Sequence, residues 1–128
     1  MDAITLRQGL EIGTLHLDAI RGTDEHNIFI FAADGKEVGL ALIVSQGAMK
    51  LRLFRGYVIG MKSVSPQKRE RILHTIEEAS SFIITRNDEK GDIIDSVQFR
   101  GKVERAADAE MYGHRMETVI INVSAIVA

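Results

Sequence analysis

The chain has 128 residues, 45% of them hydrophobic, with 16 basic and 18 acidic residues and a net charge of -2. That is long enough for a single domain over 1–128 with a sizeable core, too apolar for a disordered chain, and too evenly charged for an electrostatic nucleic-acid footprint. With no cysteine it has no disulfide, thiolate ligand or thiol nucleophile, and its glycine count of 11 suits a protein rich in turns and bulges. No apolar run approaches the ~20 residues of a membrane helix. The first residues, MDAITLRQGLEIG, lack a basic stretch followed by an apolar one, so no secretory signal is expected.

From Ile4 to Ile20 the pattern reads as strand broken by Gly9 and Gly13, with Leu15 and Leu17 alternating with His16 and Asp18. Arg21–Asn27 is a polar loop. Ile28–Ala32 is a β-prone run, Asp34-Gly35 a hairpin signal, and Val38–Val44 the expected partner strand. Ser45, Gln46 and Gly47 make the next turn. Met49–Ile59 follows as a strand with Leu51 and Leu53 on one face and Lys50 and Arg52 on the other; Gly56 and Gly60 suggest a bulge or bend in it.

Ser65–Phe82 is the one stretch that reads as a helix, expected over about 66–81. Ser65 is an N-cap residue, and Pro66 occupies the first helical position, where its missing N–H costs nothing. Ile72, Leu73, Ile76, Ala79 and Ile83 form an apolar stripe. Its charges run against the macrodipole: Lys68, Arg69 and Arg71 come early, Glu77 and Glu78 late. No Lys or Arg here has an acid four residues away; Glu70 and His74 are spaced to meet, a weak compensation at neutral pH. The plain reading is a solvated polar face. The sharper one is a basic end that meets an acidic neighbour.

After the helix, Phe82–Thr85 reads as a strand and Asn87–Gly91 as an exposed hairpin loop. Ile93–Glu104 alternates cleanly, with Val97, Phe99 and Val103 facing in and Ser96, Gln98, Arg100, Lys102 and Glu104 facing out. Arg105–Gly113 reads as a polar connection. Thr118–Val127 is apolar on both faces, as in a central strand, so trimming it should unfold the domain. Phe54-Arg55-Gly56-Tyr57-Val58 echoes Phe99-Arg100-Gly101-Lys102-Val103, through coincidence of two bulged strands or through a short repeat.

Chemistry-bearing motifs are nearly absent. None of His16, His26, His74 and His114 is spaced from another as metal ligands are. Asp24, Glu25 and His26 are consecutive, so a metal would need the loop folded around it, and a solvated loop is simpler. His16 and Asp18 share a strand face, which suits either acid–base work or a cross-strand polar contact. There is no Gly-x-Ser-x-Gly elbow and no phosphate loop. No metal, cofactor or catalytic residue is therefore expected.

These elements predict an α+β, mainly antiparallel β protein: a barrel or sandwich of about seven strands with one helix. The element order resembles that of phage tail-tube, type VI secretion tube and tail-completion proteins, small β-barrels or sandwiches with a flanking helix that assemble into rings. The resemblance covers most of the chain by element order and matches no motif. It implies a virion or tube component. With the nearly empty chemistry inventory, the expectation is a non-enzymatic subunit, cytoplasmic or in a virion, whose partners are its own copies or other structural proteins; the composition points to no membrane and makes nucleic acid a distant third reading. The expected interaction residues are Lys68, Arg69 and Arg71 on one side and Asp88, Glu89, Asp24 and Glu25 on the other. The alternative is a small-ligand-binding barrel, or an enzyme with its site at the barrel mouth.

Overall fold

In the computed structural model the residues described are 5–15, 27–32, 41–56, 66–111 and 114–127. The first element corrects the sequence reading. Leu6–Ile12 is a helix, α1, opened by Thr5. Thr5 and Gln8 form a capping box: the Gln8 N–H donates to Thr5 Oγ1 and the Thr5 N–H to Gln8 Oε1, each at 3.1 Å. Gly13, at φ 78°, closes it in a left-handed cap whose N–H donates to the Gly9 carbonyl. Leu6 and Leu10, four apart, are buried on one side. So Gly9 and Gly13 lie in and just after a helix and do not interrupt a strand.

Among the described residues six antiparallel strands follow: β1 (Asn27–Ala32), β2 (Ala41–Gly47), β3 (Lys50–Gly56), β4 (Ser81–Asn87), β5 (Ile93–Met111) and β6 (His114–Val127), with α2 (Pro66–Glu78) between β3 and β4. Their order in the sheet is β1-β4-β5-β6-β3-β2. The expected β1–β2 hairpin is not formed: β1 pairs with β4 and β2 with β3, at opposite edges. These edges approach within 8 Å between Cα atoms, but no ladder joins them among the described residues. The sheet is open, not a barrel, so the barrel mouth of the alternative reading does not exist there. Asp34 and Gly35 lie outside the described residues.

Other boundaries also move. The β2–β3 turn falls at Ala48-Met49, with Met49 at φ 58°, and Ser45–Gly47 belong to the strand. Arg105–Met111, read as a connection, continues β5. There β5 bulges, with Ala107 and Asp108 opposite Glu117, and the Thr118 hydroxyl donates to the Ala107 carbonyl at 2.8 Å. The central place of β6, between β5 and β3, is as expected. The Phe-Arg-Gly echo has no structural counterpart. Phe99 is buried opposite Phe82 at a bulge, whereas Phe54 is half-exposed on the other face in regular register.

The core lies between one face of the sheet and the two helices. Ile43 and Ser45 on β2, Leu51 and Leu53 on β3, Val119, Ile121 and Val123 on β6, Val97 and Phe99 on β5, and Phe82 and Ile84 on β4 alternate inward. The rings of Phe82 and Phe99 stack at 5.6 Å. Leu6, Leu10 and Ile76 fill the same cluster from the helices. α1 is stitched to the β2–β3 turn: Met49 N–H donates to the Leu10 carbonyl at 3.0 Å, Ser45 N–H to the Leu15 carbonyl at 2.7 Å, and Leu15 N–H to Ser45 Oγ at 2.8 Å. Its first N–H, of Leu6, donates to Asp95 Oδ2 at 2.8 Å, giving the helix start an acid it lacks in sequence.

Candidate interaction surface

α2 begins at Pro66, as its sequence requires. Ser65 lies outside the described residues, as do the side chains of Lys68, Arg69, Ile72 and Leu73. Ile76 is buried, Ala79 packs against the core, and Ile83 belongs to β4. Two acids of α2, Glu70 and Glu77, are held by the sheet. Arg105 of β5 donates from Nη2 to Glu70 Oε1 at 2.6 Å and from Nε to Glu77 Oε1 at 2.7 Å. The bond from Arg105 lowers the Glu70 pKa below its ordinary value, and both carboxylates raise that of the guanidinium. His74 bonds Glu78 at 3.0 Å, not Glu70. Long-range pairing with a residue read as loop thus holds two of the three acids of α2, Glu70 and Glu77. Arg71 is exposed and has a partner of its own.

Asp88 and Glu89 sit at the tip joining β4 to β5, and that tip is laced. Asp88 N–H donates to the Asp92 carbonyl at 2.9 Å and Gly91 N–H to the Asp88 carbonyl at 3.0 Å. Asp88 Oδ1 accepts from the N–H groups of Lys90 and Asp92, each at 2.9 Å. Asn87 Nδ2 donates to the Gly91 carbonyl at 3.0 Å. Glu89 and Asp92 are exposed, and the two isoleucines that follow are 61% and 51% exposed at Ile93 and Ile94. Asp24, Glu25, His16, Asp18 and His26 lie outside the described residues, so the structure joins neither Asp24 nor Glu25 to this group.

The sheet face turned away from the helices carries a feature the sequence reading did not assemble. Register sets Lys50, Asn122 and Lys102 side by side across β3, β6 and β5, and Arg52, Ile120 and Glu104 in the next row. Arg100 is two residues along β5 from Lys102, on the same face. Two-residue and two-strand steps are about 7 and 10 Å. Four cations and one carboxylate thus share a small area, and among the described residues none of Lys50, Arg52, Arg100 and Lys102 is in an ion pair. Arg52 lies over the Phe54 ring, 5.9 Å from its centroid, and its Nε is buried without a hydrogen-bond partner. Val44, Phe54 and Ile120 around it are half-buried; Arg100, Lys102, Glu104 and Asn122 are exposed.

Compared with protein families, curated proteins and solved structures, the chain matches none. Among the described residues no three His, Asp or Glu side chains converge as metal ligands would, and no helix is long and apolar enough to cross a membrane.

Proposed function

We propose that the protein is a non-enzymatic assembly subunit, which associates with its own copies, or with other structural proteins, in a larger particle or tube of the phage-tail kind. One observation supports this reading above others: a sheet face turned away from the helices on which, among the described residues, cations without ion-pair partners surround half-buried apolar side chains. Such a mixture is the usual composition of a protein–protein contact, with an apolar centre and a polar rim. Arg52 fits the centre of such a contact, since its guanidinium lies over the Phe54 ring and a planar guanidinium fork suits a partner carboxylate or carbonyl.

Sedimentation velocity from micromolar to millimolar protein tests the reading. Species larger than the monomer, increasing with concentration, are expected. A single monomeric boundary throughout, in the presence of the other structural proteins of its source, would overturn it.

A further inference from the structure

We infer that the cationic sheet face receives the β4–β5 tip of a second copy of this chain, so that subunits join head to tail. The inference rests on the self-association reading and names its two surfaces. The first argument is complementarity. Around Arg52 the face offers Lys50, Arg100 and Lys102 with Val44, Phe54 and Ile120. The tip offers Glu89 and Asp92, with one cation, Lys90, between them and the exposed Ile93 and Ile94 beside them, so it stays net acidic with Asp88. Acid and apolar groups on one element thus match cation and apolar groups on the other, in both charge and hydrophobic character.

The second argument is reach. Ile93 and Lys102 lie on one continuous strand, nine residues apart. At ~3.3 Å per residue that separates tip and face by about 30 Å along a paired strand, so a subunit cannot fold its own tip onto its own face. The tip must belong to another copy. The third argument is order. Backbone and Asp88 bonds fix the loop before it binds, which reduces the entropy lost on docking. Because tip and face are different patches, the contact is heterologous, and repetition closes a ring or extends a filament.

Charge reversal in two separate variants tests this. Lys50→Glu with Lys102→Glu makes the face acidic and keeps the acidic tip. Glu89→Lys with Asp92→Lys makes the tip basic and keeps the basic face; neither side chain takes part in the bonds that shape the loop. Each variant alone should need at least about tenfold more protein than the wild type to assemble by half in sedimentation. An equimolar mixture should regain wild-type assembly, since each tip then meets an opposite face, and a variant that had failed to fold could give no such rescue. Variants that assemble like the wild type, or folded variants that fail to rescue each other, would overturn the docking while leaving self-association standing. A wild type that never assembles would overturn both. Binding of a fluorescent single-stranded oligonucleotide that is lost in the face variant and kept in the tip variant would assign the face to nucleic acid instead.

Discussion

Alanine at Gly13 measures how tightly α1 is locked to the β2–β3 turn, and alanine at Gly91 supplies the control. Both glycines have positive φ, 78° and 87°. Alanine in that conformation is strained by about 1–2 kcal/mol, offset by about 0.4–1 kcal/mol because the unfolded chain loses freedom. At Gly91 a Cβ meets nothing within 4 Å, so only this net strain, about 0–1.6 kcal/mol, applies. At Gly13 the Cβ would lie 2.5 Å from the Gly47 carbonyl carbon and 2.6 Å from the Ala48 nitrogen, against 3.4–4 Å for ordinary contact. Both are backbone atoms and cannot rotate aside. Relief requires the helix and turn to separate, which strains the bonds from Met49 N–H to Leu10 and from Ser45 N–H to Leu15. At about 1 kcal/mol per bond, Gly13→Ala should lose about 2–4 kcal/mol in total. Urea denaturation of the two variants beside the wild type gives both values. Losses equal within about 0.5 kcal/mol would refute the close packing of α1 on the turn, since only the shared strain would then be present.

Phe99→Ala, which removes a fully buried ring stacked on Phe82, should cost about 3–5 kcal/mol in the same measurement. Gln67→Glu should stabilise the protein by about 0.3–1 kcal/mol, because it places an acid in the first turn of α2, which has none, and a raised melting temperature would show it. The Glu70 pKa is depressed by its bond to Arg105, so its contribution to stability is present above the unfolded carboxylate pKa and lost as pH falls through the lower folded value. The stability difference between wild type and Glu70→Gln should therefore be largest near neutral pH and shrink in that acid window, as paired melts would report. A difference that grew on acidification would contradict the assignment.

What sequence alone conveys here is local, and where it misleads the reason is physical. Pro66 announces α2 because a proline ring is preformed for a first helical turn. Alternation through Leu51 and Leu53, and through Val97 and Phe99, gives the correct faces because a strand has period two. α1 was also legible, in Thr5-x-x-Gln8 with Leu6 and Leu10 four apart, but Gly13 reads as a break when it is the cap. Ala106–Ala109 hides the extension of β5, since alanine has weak strand preference and the bulge shifts the alternation. Pairing partners are not written in periodicity at all: nothing near Ile28–Ala32 says that it joins β4 and not β2. The cationic face depends on that missing information. Lys50, Arg52, Arg100 and Lys102 each read as outward-facing, yet only the β3–β6–β5 register brings them together.

Absolute mass by light scattering, over a range of protein and salt concentrations, tests the central claim most directly. The account predicts a mass above the 14.2 kDa of one chain that rises with protein concentration and falls as salt screens the tip and face. A mass that stays at 14.2 kDa at every concentration, in low salt as in high, would contradict it.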